Sequence, residues 1–228
     1  MNTGIRFTSP VLGGLTLVLS LPSSLLALPQ GGQVQQGQAA ISQSATELRV
    51  DQHSQAITVD WRSFDVAKGE RVQFQQPGSN AIAVNRIFDL KASDIQGRID
   101  ANGRVVLANA HGIIFGESAS INVDALVAAA AELPLSAVID GQHLLSFSAA
   151  QGGAIIQRGV IEAATAAHLF AQHVDNAGSI LVEGGLVHLS SANQAVLTFD
   201  AAGYLGLAVD GAVLGNELGV DSAVLNSG

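Results

Sequence analysis

The chain has 228 residues, ten Lys and Arg against 19 Asp and Glu, a net charge of −9 and no cysteine. That balance excludes the basic footprint needed to neutralise nucleic-acid phosphates. The lack of cysteine excludes disulfides, thiolate metal sites and cysteine nucleophiles. A hydrophobic share of 48%, 13% charge and 25 glycines argue against disorder and for one core of small aliphatic side chains broken by many tight turns.

Residues 1–27 carry one positive charge at Arg6, an apolar run over 11–21, then Pro22-Ser23-Ser24 and the small residue Ala27. This is the pattern of a secretory signal peptide removed near Ala27. Gly13-Gly14 and Pro22 leave too few uninterrupted apolar residues to span a bilayer. Residues 28–43 are rich in Gly and Gln, with Val34 and Ile41 as large apolar residues, and read as a linker or an N-terminal capping strand.

From Ala45 the hydrophobic period becomes two. Leu48, Val50, Ile57, Val59, Trp61, Val66, Val72 and Phe74 are separated by polar residues, as half-buried strands require. Lys68-Gly69 and Gln76-Pro77-Gly78-Ser79 read as turns. Residues 81–88 form a further apolar run, and 90–94 a loop or a single helical turn. Over 102–128 short aliphatic runs, such as Val105-Val106-Leu107 and Ile113-Ile114-Phe115, are split by Asn, Gly and Ser clusters too short for a crossover helix. Such strands can pair as hairpins or continue into the coils of a solenoid. Residues 126–133 have helix propensity, but Pro134 ends the run, so a strand giving way to a short excursion is expected.

The C-terminal third separates the two architectures. Gly159-Val160-Ile161 and Gly178-Ser179-Ile180 lie 19 residues apart, and the run 168–171 is matched by 187–190 at the same offset. A repeat of about twenty residues holding two or three strands is one coil of a parallel β-helix, with Asn176-Ala177-Gly178 at a corner. Asn226-Ser227-Gly228 resembles that corner, so a domain over 28–228 truncated at its C-terminal end is expected. Leu205 to Val209 resumes the strand pattern.

Several ordered blocks resemble the secretion domain of two-partner secretion exoproteins, the filamentous haemagglutinin N-terminal domain family. They are Gly31-Gly32-Gln33-Val34 with Gly37-Gln38-Ala39-Ala40-Ile41, then 69–88, then 99–128. The family's central Asn-Pro-Asn-Gly-Ile is represented here by Asn109-Ala110-His111-Gly112-Ile113, which keeps Asn, Gly and Ile. The resemblance implies an all-β, right-handed parallel β-helix with an N-terminal capping region. It further implies a non-enzymatic secretion domain of a large surface adhesin or haemagglutinin, without cofactor. The implied partner is an outer-membrane β-barrel transporter with periplasmic polypeptide-transport-associated domains. The product would be secreted or surface-bound, reach its place through the periplasm of a Gram-negative-type envelope, and meet a host-surface or carbohydrate ligand through a downstream region. The secretion motif would be Asn109, Ala110, His111, Gly112 and Ile113, with transporter contacts at Asn85, Arg86, Asn102 and Gly103. Ala110 in place of Pro accepts the turn without imposing it, and His111 in place of Asn is expected to lose a side-chain-to-backbone turn bond.

Other chemistry is weaker. The histidines lack metal-ligand spacing and read as scattered surface or corner residues. Asp100, Glu117, Asp124, Glu162, Glu183 and Asp200 read as isolated corner charges, although Glu162 and Glu183, 21 residues apart, are close to one coil in separation. Trp61 and Tyr204, each alone of its type, read as core or edge contacts. The rival readings are a β-helical polysaccharide-active enzyme, which needs convergent carboxylates, and a decayed adhesin fragment without a transporter.

Overall fold

The computed structural model describes residues 1, 27–135, 145–150, 152–199, 205–212 and 223–228. The cap comes first: β1 (Gln33–Gln36) and β2 (Ala39–Gln43). β3 (Glu47–Gln52), β4 (Ala56–Trp61), β5 (Arg71–Gln75), β6 (Ile82–Ile87), β7 (Ser93–Ile95), β8 (Arg98–Ala101), β9 (Arg104–Asn109), β10 (Ile113–Phe115) and β11 (Ser120–Ala129) follow. β12 (Ala131–Glu132) and β13 (Leu145–Ala149) interrupt the progression before β14 (Ala154–Gln157), β15 (Val160–Ala171), β16 (His173–Asn176), β17 (Ser179–Val182), β18 (Leu186–Phe199), β19 (Leu205–Ala212) and β20 (Val224–Asn226).

These strands pair in parallel with the strands one coil away, and so build three walls. One runs β3, β5, β8, then the first halves of β11 and β15, then β17. The second runs β4, β6, β9, then the second halves of β11 and β15, then the start of β18. The third runs β7, β10, β14, β16 and β20. The architecture is a parallel β-helix, and the period-two pattern has a simple cause within it. Along β3, Leu48 and Val50 point into the solenoid while Glu47, Arg49 and Asp51 point out, because successive strand residues face opposite sides. Residues 88–92 form a loop, and the chain then enters the short strand β7 rather than a helical turn.

Residues 28–43 are a cap and not a linker. β1 pairs antiparallel with β4, and β2 antiparallel with β3, which covers the backbone edge that the first coil would otherwise expose. Gly32 lets the cap close. A Cβ there would lie 2.5 Å from the Trp61 ring, so only glycine allows the backbone to rest on the indole. Trp61 is 1% exposed, meets Phe64 edge to face at 5.5 Å, and donates its Nε1–H to Asn85 Oδ1 at 2.9 Å. It is a core contact, as a lone aromatic suggests. Tyr204 lies outside the described residues.

The 19-residue recurrence holds for one wall and shifts on the next. Val160 pairs with Ser179 and Ile161 with Ile180, an offset of 19. His168, however, pairs with His188 and Leu169 with Leu189, an offset of 20. Between the two walls, Ala164 and Thr165 are matched by three residues, Glu183, Gly184 and Gly185, so the register moves by one. The final corner is in place: Asn176 pairs with Asn226, its Nδ2 donates to Asn226 Oδ1 at 2.7 Å, and Ser227 N donates to Asn176 O.

A second layer lies outside the solenoid. β12, β13, the distal half of β18 and β19 pair antiparallel and pack on the outer side of the second wall. There Ile82, Val84, Val106, Val127 and Phe170 meet Leu145, Phe147 and Leu197 in a core separate from the interior one. The excursion after β11 is thus the start of this layer, and 205–209 belongs to it rather than to another coil.

Candidate functional site

One side chain organises the corner between β9 and β10. Asn109 is fully buried. Its Oδ1 accepts the His111 N–H at 2.9 Å, and its Nδ2 donates to Lys91 O at 3.1 Å and Ser93 Oγ at 3.0 Å. The turn closes where Gly112 N–H donates to Asn109 O, and Gly112 O in turn accepts the Ser93 N–H, each at 3.0 Å. One carboxamide therefore caps its own turn and ties it to the loop of the coil below. Such Asx geometry is the reason Asn is favoured in turns.

Gly112 has φ +106° and faces the backbone of the next coil, where an added Cβ would stand 2.5 Å from Ala154 O. Both the sign of φ and the close approach require glycine. Ile113 follows directly into the interior core with no exposure. Ala110 is half-buried and His111 exposed. Asn109, two residues earlier, supplies the turn with a side-chain-to-backbone bond through its Oδ1, which is a separate bond from the one that the expectation for His111 concerns. Beside the corner opens a cleft of about 440 Å³ lined by Arg86, Phe88, Leu90, Ala110, His111 and Leu133 among others.

The loop beneath the corner is held by Asp65. Its Oδ2 takes the Lys91 ammonium at 2.6 Å, and its Oδ1 accepts the Asp94 N–H at 2.8 Å. That hydrogen bond raises the Lys91 pKa above the ordinary lysine value, and the nearby Asp89 and Asp94 charges add to the effect.

The other four site residues are not gathered into one surface. Asn85 is buried, bonded to the Trp61 indole and, through Nδ2, to Ala83 O and Val106 O. Arg86 makes a bidentate pair with Asp60 at 2.7 Å, reaches Leu133 O at 3.3 Å and lies 5.2 Å from the centre of the Phe88 ring. It pins the outer layer's first residues to the wall. Asn102 occupies a different corner, where its carboxamide exchanges two hydrogen bonds with the Gln76 backbone. Gly103 is buried behind it against Ala81 O and Gly78 O.

Reading the histidines as scattered surface residues misses one pair. His168 is fully buried, and its ring lies 4.8 Å from that of His188 on the adjoining strand. The 20-residue offset was the available signal, hidden by the 19-residue period of the preceding wall. No group of three or more metal-capable side chains occurs among the described residues. Glu162 faces Leu181 and not Glu183. Asp100 is not an isolated charge, since it receives both Arg71 and Arg98, at 2.6 and 2.7 Å. Asp200 lies outside the described residues.

The fold agrees with what the chain is similar to. A solved structure, the HMW1 secretion domain from Haemophilus influenzae, superposes with a TM-score of 0.70 at 21% identity, over 81% of this chain and 49% of that one. A heme/hemopexin-binding protein of Haemophilus influenzae is 35% identical over 179 residues, 75% of this chain, and a second protein of the same description is 41% identical over 90 residues, or 40%. The matches cover 20% and 10% of those two proteins, so heme or hemopexin binding describes proteins much longer than this chain. The family model of the TPS secretion domain matches residues 26–221, from just before the cap to just short of the last solenoid strand, β20, and on that match the chain belongs to the TPS secretion domain family.

Proposed function

We propose that this domain directs the export of an exoprotein across the outer membrane, by presenting an extended N-terminal segment to a dedicated β-barrel transporter from the periplasmic side. The leader over 1–27 brings the chain to the periplasm. There the transporter's periplasmic domains bind it before it folds, by adding one of its strands to an exposed sheet edge. Folding into the solenoid outside the cell then prevents return. We assign the domain no catalytic role.

The observation that carries this reading is the corner at 109–113. Its asparagine, glycine and isoleucine each have a defined structural task, which ties the family's most specific block to the joining of successive coils. In the folded domain Asn85 and Gly103 are buried, so contact between these residues and a transporter belongs to the unfolded chain. Deleting the transporter should leave the chain in the periplasm, and unchanged secretion would overturn the proposal. Ala110→Pro with His111→Asn should leave the fold intact and raise export. Unaltered export would make the corner purely structural.

A further inference from the structure

Glu70 is 4% exposed, yet none of the ion pairs among the described residues includes it. The nearest arginines in sequence and register, Arg71 and Arg98, are both committed to Asp100. The carboxylate is held firmly: Glu70 N–H donates to Ala67 O, Glu70 O accepts the Arg98 N–H, and Oε2 accepts the Ala67 N–H at 2.8 Å. Its Oε1 accepts the backbone N–H of Ala27 at 2.9 Å, from 43 residues away in sequence. Two neutral N–H donors satisfy the oxygens but do not cancel the charge, and a buried carboxylate without a counter-ion is costly.

We propose that Glu70 is the acceptor for the α-ammonium group created when the leader is removed after Ala27, and that this ion pair locks the N-terminal cap onto the first coils. The inference rests on the export reading above. Hydrolysis adds water across the Ala27–Leu28 peptide bond. Ala27 leaves with a new carboxylate, and the Leu28 nitrogen keeps the chain and takes up protons as an ammonium. Successive backbone nitrogens lie within about 3.6 Å of each other, so the new cation forms within one residue's reach of the point from which Ala27 N bonds Glu70 Oε1 at 2.9 Å. Leu28 cannot drift from that place. Its side chain is fully buried in the interior core, its carbonyl accepts the Gln30 side chain at 2.7 Å, and Gln30 is bridged to Ser63 by backbone hydrogen bonding. The uncleaved chain can offer Glu70 a dipole, and the processed chain offers it a charge. Cap closure is thereby linked to processing, and the full strength of the cap is withheld until the leader has gone.

N-terminal sequencing of the exported chain comes first, and a start at Leu28 is expected. An uncleaved chain or a different start would overturn the export reading's cleavage position, and the pair with it. With Leu28 established, the coupling is read by denaturant unfolding of four forms of the processed chain: unmodified, E70Q, carbamylated at the α-amine in the unfolded state and refolded, and both. Each single change should lower the folded-to-unfolded ratio roughly tenfold or more, and the double change no further than one alone. Independent, additive losses or no loss would overturn the pair while leaving the cleavage site standing. If E70Q does not fold, the carbamylated wild type decides by itself: a tenfold loss supports the pair, and an unchanged midpoint overturns it.

Discussion

The interior of the solenoid and the layer outside its second wall are both apolar cores, but they are assembled on opposite principles. Inside, every coil adds the same kind of side chain one rung further along, so neighbours in space are separated by about one repeat. Outside, β12 pairs with β13 and β18 with β19 as neighbours in sequence, and only β13 with β18 joins across the intervening coils. The interior is closed at one end by an aromatic residue under a glycine-bearing cap, whereas the outer core rests on the wall from one side only. Such a layer can open while the coils beneath it stay paired, since local opening follows the boundaries of cooperative units.

The largest expected effect therefore falls on the interior. Trp61→Ala removes a fully enclosed ring on which the cap rests and strands the Asn85 carboxamide, at a cost of about 3–5 kcal/mol. Denaturant unfolding should show a single lowered transition for the whole domain. Phe147→Ala, in the outer core against Phe170 at 6.3 Å, removes a comparable ring at about 3 kcal/mol, but with a different distribution. Hydrogen exchange should rise in β12, β13 and distal β18 while amides of β9 and the first half of β11 stay protected. Equal loss of protection in both regions would mean that the two cores form one cooperative unit.

Asn109→Ala sharpens the comparison at a corner. It deletes three side-chain hydrogen bonds of a buried group, and a loss of about 2–3 kcal/mol is expected, with export lowered as well. The smallest effect is that of Lys91→Met. The pair with Asp65 is solvent-exposed on the lysine side and is worth under about 1 kcal/mol, less at high salt. Because the folded-state pKa of Lys91 is raised, this contribution is complete below the ordinary lysine value and fades only as the pH climbs through the raised one. Stability of the wild type and the variant should accordingly converge in strongly alkaline buffer.

Much of the interior was legible in the chain. Period-two alternation from Leu48 to Phe74 and the recurrence of Gly159-Val160-Ile161 at Gly178-Ser179-Ile180 are local consequences of stacking like on like, so each coil writes its own position into the sequence. The corner block 109–113 was reached through the family resemblance instead, and the structure adds the reason its Gly112, at φ +106°, accepts few substitutes. The His168–His188 pair was not legible, because one additional residue at Glu183-Gly184-Gly185 displaced the second wall's register from the first.

By itself, then, the sequence determined that the chain is β-rich, that its coils recur, where the turns fall and which family it belongs to, because those features depend on residues close together or on a repeated spacing. Only the tertiary structure decided that residues 28–43 close the solenoid as a cap, that β12, β13, distal β18 and β19 fold over its wall, and that Glu70 lies beneath Ala27. Those contacts join segments whose separation follows no repeat. The backbone path that brings them together is set by the stacked coils between them.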